Sequence, residues 1–139
     1  MKRVVSIQDI SCLGKCSLTV ALPIISAMGV ETCVVPTAVL STHTGGFSGF
    51  TFHDLTQEVA PIADHWAKEG ISFDAIYTGY LASKEQIGDV CAFFDQFKTD
   101  KNLIVVDPVM ADNGKLYPAF GTDFPAEMAK VCAKADLIV

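Results

Sequence analysis

Leu103-Ile104-Val105-Val106 runs straight into Asp107-Pro108, and a second aspartate, Asp112, follows shortly after. No other stretch constrains the fold as tightly. A short, wholly apolar run rich in β-branched residues reads as a parallel strand covered on both faces. Proline then stops the ladder, because it has no N–H to donate. Asp107 and Asp112 are thereby expected at and just beyond the C-terminal edge of a central strand, where open α/β sheets hold their ligands. Carboxylates there suit a hard cation and the phosphates it escorts.

Similar signals recur along the chain. Residues 4–7, 31–35, 74–78 and 136–139 read as further strands. Between them, residues 14–28 carry Leu18, Ala21, Leu22 and Ile25 on one helical stripe, interrupted by Pro23. Asp54 is placed to cap a helix that reaches Lys68 and ends at Gly70. Ser83-x-x-Gln86 is a capping box that opens a helix with Ile87, Val90, Cys91, Phe94 and Phe97 on its apolar face. Thr122 or Asp123 opens a last helix with Met128, Val131 and Cys132. Strands alternating with helices at this spacing predict right-handed βαβ crossovers and a mostly parallel sheet, an α/β fold. Residues 36–53 break the pattern. They are rich in Thr and Ser, with Gly45, Gly46, Gly49 and the aromatics Phe47, Phe50 and Phe52, and read as a β-flap or lid. A polar loop is expected through Asn113-Gly114 and Tyr117.

Bulk properties narrow the function classes. A chain of 139 residues is one domain or part of one, and 50% hydrophobic residues suit a chain that buries more surface than it can cover alone. A net charge of −6 without a basic cluster argues against nucleic acid and anionic membrane as partners. The five cysteines are scattered and include no CxxC, so buried free thiols in a reducing cytoplasm are expected. Gln8 and Asp9 interrupt the N-terminal apolar run too early for a secretory signal, and no apolar stretch approaches membrane-span length.

Each candidate site has a plainer reading beside it. Asp107 either caps the next turn or serves a ligand; Asp112, Asn113-Gly114 and Tyr117 in one polar loop favour the ligand. Together Asp107 and Asp112 would hold Mg²⁺ or a monovalent cation such as K⁺ through water. Ser41-Thr42-His43-Thr44-Gly45-Gly46 offers hydroxyls and an imidazole to a small polar ring, or is a solvated turn, and the turn is favoured on sequence alone. His43 reads as structural, and His53 and His65 as surface residues. Gly14-Lys15-Cys16-Ser17 echoes the end of a P-loop but lacks its upstream glycine, so it is not a Walker motif, and Lys15 reads as solvated. Gly46-Phe47-Ser48-Gly49 has the wrong spacing for a nucleophile elbow. Asp9 and Tyr80 follow strand ends, so Asp9, Tyr80 and Asp107 are expected to converge at one lip of the sheet. Tyr80 is either free to stack on a heterocycle or packed on a helix.

Ser6-Ile7-Gln8, Ser41-Thr42-His43-Thr44-Gly45, Thr78-Gly79-Tyr80 and Asp107-Pro108-Val109-Met110 with Asp112 and Tyr117 occur in an order and spacing that resembles the pyridoxal kinase branch of the ribokinase-like superfamily. The resemblance covers essentially the whole chain. It implies a three-layer α/β/α fold and ATP-dependent phosphorylation of the 5′-hydroxymethyl group of pyridoxal, pyridoxamine or pyridoxine, usually by a homodimer. By motif match, Asp9, Thr44 and Tyr80 would line the vitamin pocket, and Asp107, Asp112 and Tyr117 would face ATP and its metal. The flap would close over the substrate. Many family members carry serine where Asp9 stands, which leaves a hydroxymethylpyrimidine open as the substrate. The family's Thr-Pro-Asn and Gly-x-Gly-Asp segments would lie beyond Val139. The chain is therefore expected to be the N-terminal part of one kinase domain, without its catalytic base. A non-catalytic half-domain that binds ligand or a complementary fragment is the alternative. A dinucleotide-binding module is disfavoured by the single glycine, Gly14, after the first strand.

Overall fold

The structure is a computed structural model that describes residues 1–139. In chain order the elements are β1 (Arg3–Ser11), α1 (Leu18–Ala27), β2 (Glu31–Leu40), β3 (Phe52–Asp54), α2 (Thr56–Lys68) and β4 (Ala75–Thr78). They continue with α3 (Lys84–Phe97), β5 (Leu103–Val106), β6 (Ala111–Asp112), β7 (Lys115–Leu116), α4 (Phe124–Cys132) and β8 (Leu137–Ile138). A single sheet runs in the order β3-β2-β1-β4-β5-β8, and β6 and β7 form a separate hairpin. All neighbours in the large sheet pair in parallel except β3, which returns antiparallel along the end of β2. No helix is long and apolar enough to cross a membrane.

Period-two alternation divides the sheet into unlike faces. Val5 and Ile7 of β1, Ile76 of β4, and Ile104 and Val106 of β5 join a buried cluster with residues of α2, α3 and α4. Burying each large side chain there contributes about 1.5–3 kcal/mol. Trp66, Phe73, Phe93 and Phe97 form its aromatic end, with ring centroids 4.5–6.4 Å apart. Phe93 belongs to this face although the helical stripe read from sequence left it out. The opposite face carries only α1, packed over β1 and β2. The three-layer arrangement is therefore present, with one layer thin. Leu103 is 55% exposed for that reason, which corrects the reading of β5 as covered on both faces. Leu18 is the only buried residue of α1; Leu22, on the expected stripe, is exposed, as are Ile24 and Met28.

Several boundaries differ from the sequence reading. β1 and β2 both run longer than expected, because they support one another through a register shift between Gln8 and Ile10. Pro36 lies inside β2, at a point where β3 has not yet begun to pair, so on that side the missing N–H has no strand to serve. The lid shrinks to the irregular segment between β2 and β3. The helix expected from Gly14 begins only at Leu18, because Gly14, Lys15 and Ser17 have φ of 107°, 38° and 54°, a turn that no α-helix tolerates. Asn113 and Gly114, with φ of 51° and 75°, link β6 to β7; the Asn-Gly pair made a hairpin where a loop was expected. Leu55 takes the geometric cap position of α2, yet the Asp54 carboxylate still accepts from Thr56 N–H at 3.3 Å and Thr56 Oγ1 at 2.7 Å.

The capping box at α3 is half formed. Ser83 Oγ accepts from Gln86 N–H at 3.1 Å, but the Gln86 side chain turns inward. Its Oε1 accepts from Ala82 N–H at 2.7 Å, and its Nε2 donates to Thr37 O at 2.9 Å, Thr56 Oγ1 at 2.9 Å and Asp54 Oδ1 at 3.1 Å. This fully buried amide ties β2, β3, α2 and α3 together. Replacing it with an apolar isostere leaves several buried polar groups without partners. We expect Gln86→Leu to cost about 2–4 kcal/mol, read as a lower denaturant midpoint at unchanged slope in urea unfolding.

Candidate functional site

The chain moves from β1 to β2 in one direction across the sheet, then reverses through β4, β5 and β8. The connections that leave the strands on either side of such a reversal run in opposite directions and leave a crevice above the strands' C-terminal ends. Here the reversal lies between β1 and β4. Ile7, Thr78 and Val106 share one row across the three central strands. Just past that row, Gly79 N–H donates to Ile7 O and Asp107 N–H donates to Thr78 O, each at 3.1 Å. Asp9, Tyr80 and Asp107 therefore lie at the same lip of the sheet, as expected. Asp9 is placed differently in one respect: it sits inside β1, at the register shift, and is 4% exposed.

A cavity of about 410 Å³ opens at this lip between α1 and the ends of β1, β4 and β5. Gln8, Cys16, Tyr77, Tyr80, Asp107 and Val109 contribute to its wall. Another hollow, of about 490 Å³, lies at the opposite edge of the sheet beside Asp74 and Asp100. Gln8 and Tyr77 alternate with the core residues Ile7 and Ile76, so the pleat aims them at the cavity face. That alternation was the signal for them, and a reading centred on strand ends passed over it. Gln8 Nε2 donates to Ser6 Oγ at 2.9 Å, which fixes its amide at the cavity floor. Burial pushes the Asp107 carboxyl above the ordinary carboxylate range. The Tyr77 hydroxyl is raised by burial and then by the charge of Asp107, against a smaller opposing hydrogen bond with Gln8.

Tyr80 is only partly available. One face of its ring stacks on Phe120, with centroids 5.7 Å apart, and Phe120 stacks in turn on Phe124. Its hydroxyl is raised by burial and then by the charge of Asp9. Asp112 and Tyr117 stand on the β6–β7 hairpin, where Tyr117 Oη donates to Asp112 Oδ2 at 3.1 Å. Burial, that hydrogen bond and the charges of Asp112 and then Asp107 all raise the Tyr117 hydroxyl. Tyr117 thus links the hairpin electrostatically to Asp107. Asp112 itself is exposed, and no cluster of three or more His, Cys, Asp or Glu side chains could ligate a metal.

The flap contributes less than expected. Thr44 is exposed and lies outside the cavity wall. His43 is structural: its N–H donates to Leu13 O at 2.7 Å, and its Nδ1 accepts from Gly45 N–H at 3.2 Å. His53, His65 and Lys15 are exposed.

No family model matches the chain. A Schizosaccharomyces pombe protein named "Putative pyridoxal kinase C18.10" is 32% identical over 119 residues, which is 84% of this chain and 35% of that protein. A Bacteroides thetaiotaomicron structure described as a "putative phosphomethylpyrimidine kinase", in a crystal form with pyridoxal, is 47% identical at a TM-score of 0.94, over 99% of this chain and 48% of that one. Pyridoxal kinase from Lactobacillus plantarum is 33% identical at a TM-score of 0.92, over 99% of this chain and 49% of that one. The chain is pyridoxal kinase-like and has the ribokinase-like fold. It spans about half the length of these solved structures and about a third of the curated relative.

Within this site, Gly79 is the tightest steric point. A Cβ there would stand 2.6–2.9 Å from Oε1, Cδ and Cγ of the buried Gln8 side chain. Gly79→Ala must push Gln8 toward the cavity and Tyr77. We expect a stability loss of about 1–3 kcal/mol in thermal unfolding, with shifted amide resonances around Gln8 and Tyr77. Asp107 generates a second prediction. Its folded-state pKa lies above the unfolded value, so the folded chain holds the proton more tightly. The resulting stability is present at acid pH and declines as pH rises from the ordinary carboxylate range through the folded pKa. Asp107→Asn should flatten that decline, measured by urea unfolding between about pH 4 and pH 7.

Proposed function

We propose that the chain forms the substrate side of a kinase that transfers a phosphoryl group from ATP to the hydroxymethyl group of a B6 vitamer. The observation that carries this reading is the gathering of Asp9, Tyr80 and Asp107 at the β1/β4 reversal, in a chain 47% identical to a protein crystallised with pyridoxal. A ring held at the open side of Tyr80 would have Asp9 as an acceptor beside it. Gln8 and Tyr77 would supply polar groups across the cavity floor, and Thr44 would approach from the flap.

ATP and its cation belong on the Asp107 side in this reading. Asp107 and Asp112 would hold Mg²⁺ through water with Tyr117 beside them, and K⁺ is the monovalent alternative. The fit rests on chemistry: the donors are all oxygen, as a hard cation requires, and Asp107 is half-buried without a basic partner. Such a cation neutralises phosphate charge. A general base is expected outside residues 1–139. We also propose that the full enzyme is a homodimer in the cytoplasm. The Bacteroides protein's description as a putative phosphomethylpyrimidine kinase favours a second reading, a pyrimidine in place of the vitamer, with a hydroxymethylpyrimidine as our candidate.

The test is a titration of the isotopically labelled chain with pyridoxal, pyridoxine and a 5-hydroxymethylpyrimidine. Shifts confined to Gln8, Gly79, Tyr80 and their neighbours are expected. The absence of shifts at millimolar ligand would overturn the reading. Incubation with ATP, Mg²⁺ and pyridoxal is expected to yield no pyridoxal phosphate, and turnover would show that the base lies within the chain.

A further inference from the structure

A capping-box glutamine needs only to reach back to the N–H of its own cap residue. Gln86 instead joins two segments that both bear on the cavity. The first is the loop after β4. Gln86 Oε1 accepts from Ala82 N–H at 2.7 Å, two residues past Tyr80. The second is the base of the flap. The pairs Leu40–Phe52, Val39–His53 and Ala38–Asp54 close the flap segment. At the foot of that ladder Gln86 Nε2 donates to Thr37 O and Asp54 Oδ1, and Thr37 O also accepts from Leu55 N–H at 3.0 Å. A longer tie joins the same two segments: Thr37 Oγ1 donates to Tyr80 O at 3.4 Å. Tyr80 is a wall residue of the cavity, whereas Gln86, Thr37 and Asp54 stand outside it. Gln86 and Thr37 are fully buried, so the two segments cannot move apart without leaving buried polar groups unpaired. Asn102, another buried amide, shows the contrast. It accepts from Thr99 N–H and donates to Phe97 O, so it ties off one local turn at the far edge of the sheet.

We propose that Gln86 is a positioning residue. Its amide fastens the loop that carries Tyr80 to the base of the flap, so that one buried side chain sets both walls between which a ring is held. Gln86 touches no ligand and acts through Tyr80 and the β2–β3 ladder. The inference rests on the ring-binding reading above and adds to it a residue outside the cavity on which ring affinity depends.

Two measurements on the 139-residue chain test this. The first needs no ligand. Asp54→Ala perturbs the flap side alone, and amide hydrogen exchange is read on the other side of the fastening, at Ala82. Exchange at Ala82 is expected to quicken while residues 97–102 keep their parent rates. An unchanged Ala82 rate, or the same acceleration at every amide, overturns the proposal. The second is a resonance titration with pyridoxine of the parent, Gln86→Leu and the control Asn102→Leu. Both variants lose a buried amide and should melt lower. Ring affinity is expected to fall roughly tenfold in Gln86→Leu and to stay at the parent value in Asn102→Leu. If Gln86→Leu does not fold, Thr37→Val takes its place; it removes only the tie to Tyr80 O and should also weaken the ring. Equal losses in variant and control show that affinity merely follows stability, and overturn the proposal. Parent-like affinity in Gln86→Leu overturns it while leaving ring binding in place. No binding of pyridoxine by the parent overturns the ring reading and this inference together.

Discussion

β1 is paired in parallel on both sides, with β2 and with β4, and the site depends on that double pairing. Because successive connections leave β1 and β4 in opposite directions, no backbone crosses the gap above their C-terminal ends. Parallel pairing also aligns those ends, so residues from distant parts of the chain arrive at one level without a dedicated scaffold. The hydrogen bonds from Gly79 to Ile7 and from Asp107 to Thr78 continue the ladder one step past β4 and β5. They hold the residues after each strand while leaving their side chains free to face a ligand. Gly79 contributes by having no side chain, since Gln8 fills the space a Cβ would need.

The same two-residue period that builds the core also selects the site. One face of β1, β4 and β5 presents Val5, Ile7, Ile76, Ile104 and Val106 to three helices. The other presents Ser6, Gln8 and Tyr77 to α1 and the cavity. A one-residue slip of β1 would exchange these sets, burying Gln8 among phenylalanines and turning Ile7 toward the cavity. Stability and recognition are thus enforced by one register. The Gln86 network protects it from the far side, by locking the start of α3 to the backbone of β2 at Thr37.

Much of this was legible in the residues. The strand order could not be read, but the β-α alternation and the strand ends could, and they placed Asp9, Tyr80 and Asp107 together. What escaped was decided by partners distant in sequence. β2 runs through Pro36 because β1 lies along it, and no local propensity announces that. The helix after Gly14 starts late because Gly14, Lys15 and Ser17 take positive φ, in a turn where His43, from another segment, bonds Leu13 O and fills the space a Cβ on Gly14 would need. Gln86 looked like one half of a capping box, and only the approach of β2 and α2 reveals why its amide turns inward. Tyr80 looked like a free aromatic shelf because Phe120, forty residues on, is invisible to any local reading. The Asn-Gly hairpin is a different kind of miss: its signal was in the sequence and was read as loop.

The uneven covering of the sheet bears on how the cavity is made. The three-helix face is closed by an 18-residue buried cluster, whereas α1 alone attends the other face and leaves Ile24 55% and Met28 76% exposed. A sheet can remain ordered under such one-sided cover when its packed face carries most of the apolar burial, and here that face carries the large aromatics. The thin side is where Gln8, Tyr77 and Asp107 meet the cavity. A fully dressed sheet would have sealed those groups under a helix and required each to find a protein partner. Leaving this side open lets Asp107 stay partly solvated and lets a ligand reach the lip over α1. The apolar surface of α1 is the cost of that opening, and any partner that covers it must leave the lip between β1 and β4 free if the site is to work.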